Sequence, residues 1–399
     1  MQPFLQRVRV LDFCWAAAGP YATLLLGFMG ADVLKVESRH RPDLSRRGFY
    51  QRAPLDASIE FHDLNLNKRS VALNLTKPEA ITLLKRLVPH CDVVVENFRP
   101  GVMQRLGLDY ETLQSINPRI IMASSSANGS TGPESAYAGY AGVFNALSGV
   151  GHLTGYADGP PTEMRISMDL RVGMTLAFAI LAALYARRRT GIGQHIDLAA
   201  REAISCLIGH TFLHYTMNGE SPQRQGNLAG PYAPHGCYRC RGEDRWVTLS
   251  VQHETEWRAL CQAIGHPEWL DEPRFATAAS RVQHRQALDA LLTAWTQEQT
   301  PEAVTTRLQQ VGVAAFPTMD SAMLAASEHL QARSAFITVP HPRLGPQTVL
   351  GPPWRSPEVT MQPDRSSPLL GEHTAEVLRN LLKMDDTELA SLTQAGVLE

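Results

Sequence analysis

Strand-like and helix-like runs take turns along the first 125 residues, and this alternation leaves the chain few ways to fold. Residues 8–13, 32–37, 70–75, 92–98 and 119–124 are short runs rich in Val, Ile and Leu, and helical spacing marks residues 21–29, 78–89 and 100–106 between them. Strands separated by helices pair as parallel neighbours, with the helices crossing over the faces of the sheet. The expectation is an α/β protein: a doubly wound, Rossmann-like parallel sheet forming a large domain. Ligands of such sheets gather at the C-terminal ends of the strands. The small-residue turn Ala16-Ala17-Ala18-Gly19-Pro20 follows the first strand and Asn97-Phe98 closes the fourth, so both are candidate contacts.

At 399 residues the chain exceeds what a single core usually serves, so two domains are expected. Residues 218–234 are punctuated by Gly and Pro and read as a linker. Beyond them a hairpin pattern and three helical stretches suggest a smaller α+β domain. The expected division is residues 1–223 for the first part of the large domain, 224–330 for the small one, and 331–399 for a return to the large one. A net charge of -2 gives no field for a polyanion, so nucleic acid is not an expected partner. Six cysteines at 14, 91, 206, 237, 240 and 261 suit a reducing compartment. The N-terminus lacks the apolar core of a secretory signal, so the expected location is cytoplasmic and no membrane partner is foreseen. Cys237 and Cys240 with His235 have the spacing of half a zinc site; no second pair follows, so no metal is expected.

One later stretch carries chemistry. Met168-Asp169-Leu170-Arg171-Val172-Gly173 precedes an apolar run, residues 174–186, closed by Arg187-Arg188-Arg189-Thr190-Gly191. The run is shorter than the roughly 20 residues that cross a bilayer and reads as a core helix. Asp169 stands where an N-cap belongs. Local pattern alone favours a capping role worth about 1 kcal/mol; the alternative is a nucleophile kept ionised by the positive helix end. The first strand, helix and strand, ending at Glu37, also outline a mononucleotide-binding unit. No G-x-G-x-x-G opens that helix, which weakens a nicotinamide-dependent oxidoreductase as the second reading.

Taken in order, a set of segments resembles the class III CoA-transferases, the family of formyl-CoA transferase and carnitine CoA-transferase. They are Val10-Leu11-Asp12-Phe13, Gly30-Ala31-Asp32-Val33-Leu34-Lys35-Val36-Glu37, Asn67-Lys68-Arg69-Ser70, and Val95-Glu96-Asn97-Phe98-Arg99-Pro100-Gly101. Asp169, Arg189-Thr190-Gly191-Ile192-Gly193-Gln194, Pro234-His235-Gly236-Cys237-Tyr238 and Leu370-Gly371-Glu372-His373-Thr374 continue the series.

The resemblance implies an acyl-CoA:carboxylate CoA-transferase in which Asp169 attacks the donor thioester, giving a mixed anhydride and then an aspartyl-CoA thioester. It further implies coenzyme A contacts from Ala16, Ala17, Ala18, Leu73, Asn97 and Phe98, a phosphate contact from Arg105, and Tyr140 near the thioester. Arg39 would replace the basic residue the family often carries directly after the position of Glu37. Members form interlocked dimers, so a homodimer, or a heterodimer with a related subunit, is expected. The related α-methylacyl-CoA racemases need a His-Asp pair where this chain has Tyr140-Ala141, which disfavours racemase or epimerase chemistry. Gly226-Asn227-Leu228-Ala229-Gly230 is a thin candidate for the glycine-rich cover of the family's active site. Arg165, Arg171 and His152 lie near Asp169 in sequence and suit a second carboxylate, as on succinyl-CoA. Trp15, Phe144 and Tyr140 suit an aromatic or branched acid equally.

Overall fold

The computed structural model describes residues 2–49, 52–164, 167–228, 230–359 and 361–399. The chain divides into two compact units. The first takes residues 1–151, 163–221 and 332–399, and the second residues 152–162 and 222–331. Both chain ends thus belong to the first unit, and the second also claims an early segment, 152–162, that the sequence reading left in the large domain.

The first unit is built on a six-stranded sheet. Its principal elements in chain order are β1 (Arg9–Asp12), α1 (Ala18–Phe28), β2 (Asp32–Glu37), β3 (Lys68–Ala72), α2 (Pro78–Leu87), β4 (Val93–Glu96), α3 (Val102–Arg105), β5 (Ile121–Ser126), α4 (Ala141–Leu147), α5 (Ser167–Thr190), β6 (His195–Ala199) and α6 (Gly209–Asn218). The strands lie in the order β3-β2-β1-β4-β5-β6 and every pairing is parallel. In register, Val10 faces Val33 on one side and Val93 on the other. Strand order reverses between β1 and β4, and a crevice opens at such a switch point.

Two cores sandwich the sheet, as a parallel sheet requires. Val10, Val33, Val93 and Ile121 pack with α1 and the buried face of α5: Met168, Val172, Leu176 and Ile180. On the other face Leu11, Leu34, Val94 and Met122 meet Leu83, Leu84 and Leu87 of α2, together with α7 (Thr374–Leu382) and α8 (Asp386–Gln394). The C-terminal residues therefore complete the core of the first unit.

The central helix is longer than its apolar run suggests. It extends over 24 residues, so Asp169 is its third residue and not its N-cap. An acid in the first turn still meets the positive end of the helix dipole, so favourable helix-end electrostatics survive the change of position. By length and hydropathy α5 is the one described helix able to cross a membrane. Its buried face in the core, and the seating of Arg187 on Asp92 at 2.8 Å, make it the core helix of this unit.

In the second unit, strands His235–Arg239, Trp246–Ser250 and Ala314–Pro317 form an antiparallel sheet. Trp257, Leu260, Trp269, Phe275 and Leu288 fill its core.

Candidate active site

The turn after β1 has unusual local wiring. Side chains hold each of its backbone polar groups from the Cys14 amide to the Ala16 amide. The Cys14 amide donates to Asp12 Oδ1 at 2.9 Å, and Lys35 Nζ donates to the Cys14 carbonyl at 2.7 Å. Asn97 clamps Trp15 from β4, accepting from its amide at 2.8 Å and donating to its carbonyl at 2.8 Å. The Ala16 amide donates to Asp43 Oδ1 at 3.0 Å. Thus the strand ends flanking the switch point are joined by paired hydrogen bonds from one amide side chain.

Helix α5 comes to this turn because of Gly173. A Cβ at that position would lie 2.5 Å from the Ala18 carbonyl oxygen and 3.2 Å from the Ala22 amide, so only glycine allows the backbones of α5 and α1 to approach this closely. One turn earlier on the same helix stands Asp169.

These pieces enclose a cavity of about 650 Å³, a size common for small-molecule sites. Asp169 shares its wall with Ala16, Ala17, Ala18, Asn97, Phe98, Arg105 and Tyr140. Two other candidates stand elsewhere. Leu73 is fully buried in the core beneath the sheet, its amide bonded to Glu37, and Asn74, Leu75 and Thr76 reach the cavity instead. Arg39 turns away, its Nη2 3.4 Å from the Leu370 carbonyl, while His40 and Arg41 line the wall. The Arg41 guanidinium lies 5.0 Å over the Trp15 ring, and Trp15 meets Phe98 edge to face at 5.8 Å.

Sequence reasoning passed over Arg41, Arg99, Ser125 and Ser126, all on the wall. Leu73 and Arg39 were displaced by the chain's alternation, which sends neighbouring side chains to opposite faces. Among the acid-binding candidates, Arg171 is exposed on α5, His152 falls in the second unit, and Arg165 lies outside the described residues. The Gly226–Gly230 candidate also belongs to the second unit, with Ala229 outside the described residues.

Electrostatics single out Asp169. Burial pushes its carboxyl up to about 7, and among the described residues no cation forms an ion pair with it. Glu96, beside the Asn97 clamp, is likewise raised to about 7, chiefly by burial; its Oε2 accepts from the Phe98 amide at 2.7 Å. Glu37, the acid that a dinucleotide site would need for a ribose, is fully engaged. Arg46 holds it through both oxygens at 2.7 Å, and the Ser70 hydroxyl donates at 2.7 Å. Among the described residues no group of three His, Cys, Asp or Glu is placed to hold a metal.

A carboxylate, a tight small-residue turn and a switch-point crevice thus meet in one cavity. The family model for CoA-transferase family III matches residues 5–374. The chain belongs to that family. This family III enzyme transfers CoA between an acyl-CoA and a carboxylate. It is 34% identical to the succinyl-CoA–D-citramalate CoA-transferase of Chloroflexus aurantiacus, over 99% of this chain and 98% of the relative. It is 33% identical to a formyl-CoA:oxalate CoA-transferase of Rhodopseudomonas palustris, over 100% of this chain and 98% of that one. The crystal structure of a CAIB/BAIF family protein from Brucella suis superposes with a TM-score of 0.86 at 32% identity, covering 94% of this chain and 98% of the other.

Proposed function

We propose that this family III CoA-transferase works through Asp169 as a covalent nucleophile. The observation that carries the reading is a half-buried carboxylate, with no paired cation among the described residues, on the wall of the cavity formed by the Ala16–Ala18 turn and the Asn97–Phe98 strand end. A carboxylate freed of a counter-ion and partly desolvated is a stronger nucleophile than one in a salt bridge.

An Asp169 oxygen attacks the thioester carbonyl of the donor, the C–S bond breaks, and a mixed anhydride forms as CoA thiolate departs. The thiolate then attacks the aspartyl carbonyl, releasing the donor acid and leaving an aspartyl-CoA thioester. The acceptor carboxylate attacks that thioester, forming a second anhydride and freeing the thiolate once more. Attack of the thiolate on the acceptor carbonyl yields the new acyl-CoA and returns the Asp169 carboxylate. Backbone amides of Ala17 and Ala18 and the side chains of Phe98, Arg105 and Tyr140 bind coenzyme A in this reading, with His40 or Arg41 taking the phosphate role foreseen for Arg39. The succinyl-CoA named in one relative makes it the first donor to try.

An exposed apolar face supports a dimer. Met174, Phe178 and Tyr185 on α5 and Phe212, Leu213 and Met217 on α6 are all exposed, the last at 79%. Apolar surface on this scale is usually covered by a partner.

The test is peptide mass spectrometry after incubation with succinyl-CoA and other acyl-CoA donors, trapping with hydroxylamine or borohydride. A label on the Asp169 peptide that vanishes in Asp169→Ala is the expected result. Absence of label with every donor, while turnover proceeds, would remove the covalent mechanism and leave direct transfer.

A further inference from the structure

We infer that Asp43, which does not line the cavity, is a positioning residue for coenzyme A binding: with Lys35 it holds Ala16 in a left-handed conformation that aims the turn at the ligand. This inference rests on the reading of the cavity as the coenzyme A site.

Ala16 has φ +62°, a conformation that costs a residue with a Cβ. Strain of this kind persists only where the surroundings over-determine it. Here the restraint is identifiable. Asp43 is 1% exposed, and its Oδ1 accepts from the Ala16 amide at 3.0 Å, the Ser45 amide at 2.9 Å and the Ser45 hydroxyl at 2.8 Å. Its Oδ2 meets Lys35 Nζ at 2.9 Å, with both side chains fully buried. Burial works against the charge on Lys35, but Asp43, Asp12 and Glu37 outweigh it and hold the ammonium above its ordinary range. Lys35 is therefore held as the ammonium, and its charge-assisted hydrogen bond fixes the Asp43 side chain against the Ala16 amide.

The consequence falls on the next two residues. Ala17 is the N-cap of α1 and, among the described residues, no side chain caps this helix. Ala17 and Ala18 thus present their backbone to the cavity in the direction that Ala16 sets. Asn97 fixes Trp15 on one side and Asp43 fixes Ala16 on the other; only the Asp43 contact bears on the strained residue itself.

A double-mutant cycle on the full-length protein tests this, with CoA as the probe: Asp43→Asn, Ala16→Gly and the double variant, each measured by calorimetric CoA affinity, kcat with succinyl-CoA, and Tm. Glycine adopts the left-handed region without strain. In the wild-type background Asp43→Asn is expected to weaken CoA binding about tenfold. In the Ala16→Gly background the loss shrinks to about threefold or less, while the fall in Tm stays as large. A purely structural role for Asp43 would give equal losses in both backgrounds, and that result overturns the inference. Should Asp43→Asn not fold, Ala16→Val carries the test. A β-branched residue resists φ +62°, so CoA affinity falls about tenfold or more, beyond the accompanying fall in Tm; unchanged affinity overturns the inference. Failure of the wild-type protein to bind CoA would instead sink the site reading on which it rests.

Discussion

Two sets of buried carboxylates lie within a few residues of the switch point, and they are treated oppositely. Asp12, Glu37 and Asp43 each meet a wholly buried cation: Lys68 at 3.1 Å, Arg46 at 2.7 Å and Lys35 at 2.9 Å. Asp169, on the cavity wall, and Glu96, buried at the end of β4, form no ion pair among the described residues, and burial lifts both to about 7. The paired set is scaffold, since a buried charge is tolerable when its attraction to a neighbour offsets desolvation. The unpaired set carries free energy that a ligand or a reaction can release. The difference marks where this fold spends stability for chemistry.

Removing a member of each set should separate the two roles. Asp169→Ala is expected to lower CoA-transfer turnover by at least about a thousandfold, with CoA affinity retained. Turnover within tenfold of wild type would place Asp169 in the scaffold. On the other side, Arg46→Met strands buried Glu37 with Ser70 as its one remaining side-chain partner among the described residues. Urea denaturation should report a loss of about 3–5 kcal/mol. A loss below 1 kcal/mol would mean that the paired set is not what holds the turn. Gly173→Ala comes next in size, because its new Cβ meets the Ala18 carbonyl oxygen at 2.5 Å. About 1–3 kcal/mol of stability should go, and turnover should fall disproportionately as α5 moves Asp169 from the turn. A variant with full turnover would show that this close approach is not needed.

The scaffold was more legible in the sequence than the site. Val- and Leu-rich runs at 32–37 and 92–98 announced β2 and β4, because the strands of a parallel sheet buried on both faces are rich in branched apolar residues. The segments around Asp12, Glu37 and Asn97 carried the family likeness. What could not be read was which side of a strand end faces the ligand. Leu73 and Arg39 were one or two residues from the wall, since a single step along an extended chain reverses a side chain. The start of α5 was misread because a polar Asp169 before an apolar run looks like a cap, yet it has a place in the first turn of the helix; the basic triplet before Gly191 did mark its end. The wiring of the turn was not legible, for it joins Asp12, Lys35, Asp43 and Asn97 across three crossovers.

The smallest expected effect is the most direct test of the contrast. A carboxyl raised from 3.8 to about 7 is one whose folded form prefers the proton. Below pH 3.8 folded and unfolded forms are both protonated, and the group contributes no penalty. As pH rises from 4 to 7 the unfolded chain ionises first, so stability falls, and above 7 the penalty stays constant. Asp169→Asn, which keeps the shape of the neutral acid, should therefore raise stability at pH 8 by about 1–2 kcal/mol, discounted for the group's partial exposure. The gain should vanish at pH 3.5. In parallel, the rate of Asp169 labelling by an acyl-CoA should fall about tenfold per pH unit below 7, as the nucleophile is protonated. A paired carboxylate behaves the other way, with Asn substitution costing stability at pH 8. If Asp169→Asn is destabilising at pH 8, Asp169 belongs with Asp12 and Asp43, and the division between the two sets collapses at the one residue on which the mechanism depends.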